Sequence, residues 1–345
     1  MTTTTTTTTP STADTGRGRQ TRRRHVAGVR ARRWARTLLL GALPVALIST
    51  FLVFLMTYLA SGNPAAQKLG DRATPEEVTR LNASWGLDRS FPEQYLSWLG
   101  HAVRGDLGKS YFSGLSVTKS IGERLPVDAS ITLVAVVVAV LAGFAAGILA
   151  ALRQGGITDR AITVLAAAAT TIPEFWLAIM FVSLFSLTLG WLPSGGYVPL
   201  TEDPGQWLLH VLLPGGSLGL AVAAQVARQL RTSLLAAFGA HYVLGARVRG
   251  LSTPRILFGH ILRNAAAPAI ATLGLAIPTL LGGAVIAEAI FGLPGLGQYA
   301  LSGAQSHDIP VIQGVLVVSI VLVLSCNLAV DAFLGWLRPA TRGTR

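Results

Sequence analysis

The sequence predicts an all-α integral membrane protein: six transmembrane helices, both termini in the cytoplasm, and a helical extracytoplasmic insertion between helices 1 and 2. Three observations lead there. The 345 residues are 51% hydrophobic and only 13% charged, half of the roughly 25% charge of a typical soluble domain. Six apolar runs reach the ~20 residues that a helix needs to cross ~30 Å of hydrocarbon with every backbone amide bonded internally. The Lys and Arg residues then sort to alternate connections, as the positive-inside rule requires.

In chain order, residues 1–36 read as a disordered basic cytoplasmic tail, with a threonine run (Thr2 to Thr9) before Arg17, Arg19, Arg22, Arg23 and Arg24. The uncharged run 37–60 is the first span. It exceeds the roughly 7–15 apolar residues of a signal peptide and follows too long a tail, so it reads as a retained helix. Residues 61–128 form the extracytoplasmic region. Glu76-Glu77-Val78 and Pro92-Glu93-Gln94-Tyr95, with Leu81, Trp85, Leu96 and Trp98, suggest short amphipathic helices lying on the membrane. Gly105-Asp106-Leu107-Gly108-Lys109-Ser110 ends like a phosphate loop, but only two residues separate its glycines where four are required. No nucleotide site is assigned there.

The second span covers Ser130 to Leu152, with Gly143 and Gly147 in the G-x-x-x-G spacing that lets helices approach closely. The third, Ala161 to Trp191, is interrupted by Pro173 and Glu174. The fourth, Leu209 to Leu230, carries Pro214, Gly215 and Gly216. Kinks or shorter helices are expected in both. The fifth runs from Ala265 to Ile290 with Pro268 and Pro278 inside it, and the sixth from Val311 to Leu337. Spans two to six thus occupy 129–337, interrupted by a cytoplasmic loop at 231–264, and 338–345 form a cytoplasmic tail.

The net charge of +12 first suggests a polyanion binder. With the N-terminus inside, however, the cytoplasmic segments hold 20 Lys and Arg against two acids, Asp14 and Asp159, while the outer segments hold 8 against 10. The charge is an orientation signal, and nucleic acid is not an expected partner. The single cysteine, Cys326, excludes an internal disulfide framework and a Cys-rich metal site. H-E-x-x-H and a complete phosphate loop are absent and no nucleophile–base pair is found, so neither catalytic residues nor metal ligands are assigned. That also argues against an intramembrane hydrolase.

Four acids fall within or at the ends of spans. Asp128 and Asp331, near predicted ends, suit helix capping or interface packing. Glu174 and Glu288 are candidates either for lining a polar path or for pairing with a neighbouring subunit, because a carboxylate in hydrocarbon is costly without a purpose. There is no repeated acidic relay and no internal repeat, which argues against a proton pump or a stand-alone secondary transporter, the rival class.

The cytoplasmic loop carries the most information. Tyr242, Ala246 and Arg249, at i, i+4 and i+7, share one helical face, Gly250 supplies a helix stop, and a second amphipathic stretch leads into span five. A helix, a glycine break and a second helix would make a rigid projecting elbow; the plainer alternative is an ordinary basic loop. The pattern Tyr242-x-x-x-Ala246-Arg247-x-x-Gly250-Leu251-Ser252, followed by Leu262-Arg263-Asn264, resembles the "EAA" loop of ABC-importer membrane subunits, in the form of the dipeptide/oligopeptide/nickel permease branch. Gly62-x-Pro64, Thr74-Pro75-Glu76, Gly86-Leu87-Asp88, Gln94-Tyr95, Gly105 to Ser110 and Leu125-Pro126 resemble, in order, the outer region of the first of the two permease subunits. Phe291 to Gly297, Asp308-Ile309-Pro310-Val311 and Asn327-x-x-x-Asp331 continue the likeness. The chain departs from the general loop at Leu244-Gly245-Ala246 and at His260-Ile261-Leu262-Arg263, as the peptide branch also does. It departs too at Arg338, where an acid usually precedes the terminal proline, here Pro339.

This resemblance implies a multi-pass subunit of the bacterial inner membrane that works with a homologous second permease, two ABC ATPase subunits or domains and an extracytoplasmic solute-binding protein. The chain would bind no cofactor; ATP and Mg would sit on the ATPases. Tyr242, Ala246, Arg247, Arg249, Gly250, Leu251 and Ser252 would form the ATPase-coupling loop, with the two arginines either pairing with acidic groove residues or serving orientation alone. Glu174 and Glu288 would be the translocation-path candidates. Short peptides or peptide-like solutes are the expected cargo, with nickel or a nickel complex the alternative.

Overall fold

The computed structural model describes residues 43–59 and 62–337. The basic tail 1–36, the start of the first span (37–42), its end at residue 60, residue 61 and the 338–345 tail, with Arg338 and Pro339, lie outside the described residues. The described residues are helical apart from turns and one isolated bridge, Lys109 to Ser116. Of the described residues, 43–53 belong to a first unit and 54–59 and 62–337 to a second.

Helix α1 is the apolar Leu43–Leu59. Three short helices follow: α2 (Pro64–Leu69), α3 (Pro75–Trp85) and α4 (Phe91–Ala102). Each opens on a local signal. Asn63 Oδ1 accepts from the Ala65 and Ala66 amides, and Thr74 with Glu77 forms a reciprocal capping box. Gly86, in the left-handed region, closes α3. The apolar side of α4 meets Phe54, which stands edge-on to Phe91 and Tyr95 at 5.6 Å from each ring.

Helix α5 runs from Val117 to Leu152 and α8 from Pro204 to Phe238. Both outrun their apolar cores. The hydropathy run marks the hydrocarbon, whereas the caps mark the helix: Ser116 starts α5, and Asp203 Oδ1 starts α8 by accepting from Gly205 and Gln206. The expected outer region therefore ends in the first turns of α5, and the expected loop from 231 begins as the last two turns of α8. Pro214 does not break α8.

The third apolar run is two helices, α6 (Ile157–Thr171) and α7 (Glu174–Phe181). The latter widens into a π-turn at Val182–Thr188. They meet at a 105° bend, because Pro173 brings no N–H and holds Ile172 extended. After α8 come α9 (His241–Val248), α10 (Thr253–Ile256) with a π-turn to Ile261, and α11 (Leu262–Phe291). The short α12 (Leu296–Gln305) precedes the last helix, α13 (Ile309–Leu337). By length and composition, α5, α8, Thr253–Phe291 and Ile309–Gly335 can each cross a membrane, and the bent α6–α7 pair would be a fifth span. Helix α1 is apolar but shorter in its described part.

The core runs along α5, α8 and α11, through Ile131, Ala135 and Ala139, Val222, Val226 and Leu230, and Ala269 and Leu280. Two G-x-x-x-G pairs allow the closest approach. Gly143 and Gly147 of α5 lie against Val226 and Ala227, while Gly215 and Gly219 of α8 lie against Val134 and Ala135. A Cβ on Gly219 would stand 2.5 Å from the Ala135 carbonyl oxygen.

Candidate functional site

Between α8 and α11 the chain forms the elbow anticipated from its glycine. Leu230 and Leu234 bury the end of α8, a turn at Gly239–Ala240 reverses the chain, and α9 follows. Its end is a Schellman motif. The Leu251 amide donates to the Ala246 carbonyl (3.2 Å), the Gly250 amide donates to the Arg247 carbonyl (2.9 Å), and Gly250 has φ +79°. Leu251 packs back on the core beside Ala246, Ile256 and Leu257. No atom lies within 4 Å of a Cβ built on Gly250, so the turn needs glycine for its backbone conformation and presents an open face.

The predicted loop residues separate into two sets. Ala246 is buried (1% exposed) with Val243, whereas Tyr242 is 48% exposed. Tyr242, Ala246 and Arg249 therefore do not share one outward face, and Arg249 lies past the last helical residue as the cap. Arg247, Arg249, Gly250 and Ser252 are exposed. Sequence reasoning missed Leu244, Val248 (82% exposed) and Phe258 (65%), which add an apolar surface to the elbow. The signal was present: an eight-residue helix with Val243 and Ala246 facing in needs no Leu244 and Val248 facing out. An open groove of about 630 Å³ runs beside the elbow, lined by Leu152, Arg153, Leu235, Phe238, Arg247 and Thr253. Near this groove the first turn of α6 is tied to α8, where Arg231 donates to both Asp159 oxygens at 2.6 and 2.7 Å.

The intramembrane carboxylates have different surroundings. Glu288 is fully buried, and its oxygens accept from the amides of Gly297 (3.2 Å) and Gln298 (2.7 Å). Asp128, buried on α5, accepts from the Leu296 amide at 2.8 Å. Two carboxyls from separate helices thus satisfy the first-turn donors of α12, where the partial positive charge of the helix favours them. Asp128 caps, but on another helix than its own. Gly295 leaves the space that the Glu288 carboxyl occupies. Glu174 is only partly buried, at the α6–α7 bend, with its carboxylate over Gly283 of α11 and close to Leu218 of α8.

Before α13, Asp308 accepts from Ser110 Oγ (2.6 Å) and the Tyr111 amide (3.1 Å), which joins the loop before α5 to the α12–α13 corner. The Gly105 to Ser110 segment folds onto the start of α5: Leu107 is buried against Val117 and Ile121, and the Gly108 carbonyl accepts from the Val117 amide. Burial pushes the neighbouring Tyr111 phenol above its ordinary range, with Asp308 adding to the effect.

Two family models match the chain: "binding-protein-dependent transport system inner membrane component" over residues 143–343, and its N-terminal companion over 32–132. A putative peptide transport system permease protein of Brucella abortus is 37% identical over 301 residues, 87% of this chain and 96% of that protein. The glutathione transport system permease protein GsiC of Escherichia coli K12 is 34% identical, covering 88% and 97%. Among solved structures, a chain of the inward-facing MetNI methionine ABC transporter superimposes with a TM-score of 0.51 at 19% identity, covering 63% of this chain and 96% of that one.

Proposed function

Because this chain belongs to the inner-membrane components of binding-protein-dependent transport systems, as an ABC-importer permease of the peptide branch, we propose that it forms half of a passage for short peptides or peptide-like solutes. A homologous second permease supplies the other half, α1 serves as the sixth span, and both termini are cytoplasmic. Two ABC ATPases bind and hydrolyse ATP with Mg, and an extracytoplasmic binding protein delivers the cargo in the bacterial inner membrane. This chain is a transport subunit and not an enzyme.

The observation that carries the coupling is the elbow, whose apolar face (Leu244, Val248, Phe258) stands uncovered beside Tyr242, Arg247 and Arg249 and ends in a glycine with no neighbour. A partner groove would bury that face, while the buried Ala246 and half-buried Leu251 transmit its displacement to α8 and α11. The relatives' names support a peptide or glutathione cargo.

The test is uptake into vesicles by the reconstituted complex with its binding protein, comparing labelled di- to hexapeptides with nickel. Peptide uptake is expected; nickel uptake alone would replace the cargo assignment. Gly250→Val is expected to insert and assemble but to hydrolyse ATP without proportionate uptake. Normal uptake by the assembled variant would refute the coupling role. Failure of the chain to co-purify with an ATPase would favour a stand-alone transporter.

A further inference from the structure

Three of the carboxylates on or beside the apolar helices are occupied. Asp159 is forked to Arg231, Asp128 holds the Leu296 amide, and Glu288 holds Gly297 and Gln298. Asp331 stands on the last two turns of α13. Glu174 is different: no hydrogen bond or ion pair of the described residues reaches it, yet it packs against α8 and α11. It also lies deep. Its neighbour Gly283 is about 12 Å from the Phe291 end of α11 and about 32 Å from the Leu262 end, and Leu218 is about 21 Å along α8, at 1.5 Å per residue.

The surroundings of Glu174 favour a cation. The last bond of α6 runs from the Ile172 amide to the Ala168 carbonyl (3.0 Å). Pro173 donates nothing, so the carbonyls that follow end at the bend without an intrahelical partner and bring the negative end of the α6 dipole there. Gly283 keeps the space open: a Cβ there would stand 2.5 Å from Glu174 Oε2. A carboxylate at this depth, partly accessible and unpaired, is unsuited to lipid. The first turn of α7, on which it stands, offers it only a partial positive charge; what it lacks is a full cation.

We propose that Glu174 receives the protonated amino terminus of a peptide in transit, an assignment that rests on the peptide-permease reading above. Peptides with unlike side chains share this one cation, since an α-amino group with a pKa of about 8 is mostly protonated at neutral pH. A carboxylate without a shaped pocket reads that shared end and ignores the rest, which suits a carrier of varied sequences.

The experiment uses the purified complex of both permeases and the ATPases, without the binding protein, so that upstream selection plays no part. Millimolar alanyl-alanine is expected to raise its Tm, and N-acetyl-alanyl-alanine to need at least about tenfold more for the same shift. Glu174→Gln is expected to abolish the difference between the two and Glu174→Asp to keep it. With peptide-loaded binding protein, Glu174→Gln should retain stimulated ATP hydrolysis but move about tenfold less peptide per ATP. An equal response of the wild type to both dipeptides, or an unchanged difference in Glu174→Gln, overturns the proposal. So does a lower basal Tm in Glu174→Gln with the difference intact, which would mark a role limited to the start of α7. Failure of the underlying reading looks different: wild-type complex with its binding protein then imports no peptide at all.

Discussion

At Gly250 the backbone conformation, not crowding, excludes other residues. A side chain at φ +79° costs about 1 kcal/mol, whereas Gly245, inside α9 with nothing within 4 Å, would gain from alanine by about the same amount. Gly250→Ala should therefore lower, and Gly245→Ala raise, the thermal stability of the isolated chain, read by its unfolding midpoint in detergent. Asp308 sets a second local test. Asp308→Ala strips the acceptor from Ser110 Oγ and the Tyr111 amide, costing about 2 kcal/mol, and should expose residues 103–116 to limited proteolysis. Asp308→Asn, which keeps one oxygen, should protect them in part.

Between elements, the two glycine pairs of α5 and α8 make the sharpest demand. Gly219→Leu drives a side chain into the Ala135 backbone and should destabilise the chain by about 1–3 kcal/mol. Gly122→Leu, with open space at its Cβ, should change the unfolding midpoint little. The first pair was legible as Gly143-x-x-x-Gly147; its counterpart, Gly215-x-x-x-Gly219, was obscured by Pro214, which had suggested a break. The elbow was legible because its determinants are local: a short helix, Gly250 and a second helix. Helix α12 was not. Its N-cap, Gly295, offers no side chain, and the groups that satisfy its first turn come from Asp128 and Glu288, so no start signal stands in its own sequence. Glu288 was noticed as an intramembrane acid, but its hydrogen-bond partners become visible only when α11 turns back at Gly292.

For the whole molecule, orientation is the first prediction. On a Cys326→Ser background, a cysteine replacing Ser84 should react with an impermeant maleimide added to right-side-out vesicles, and one replacing Ser252 should react only from inverted ones. The opposite pattern would reverse the topology. Replacing residues 64–102 with a short linker removes α2 to α4 and leaves α5 whole; basal ATP hydrolysis should persist in the assembled complex while stimulation by the binding protein is lost. The capping of α12 bears on biogenesis. Its donors bond one carboxyl nine or ten residues upstream and another 168 residues away. Until α5 and α11 stand side by side in the bilayer, the Leu296 amide lacks its acceptor, and the first turn of the segment has reason to stay loosely wound. Docking of this ten-residue helix therefore comes late in biogenesis, once both spans are inserted, so its protection from protease would report that the chain has been threaded correctly.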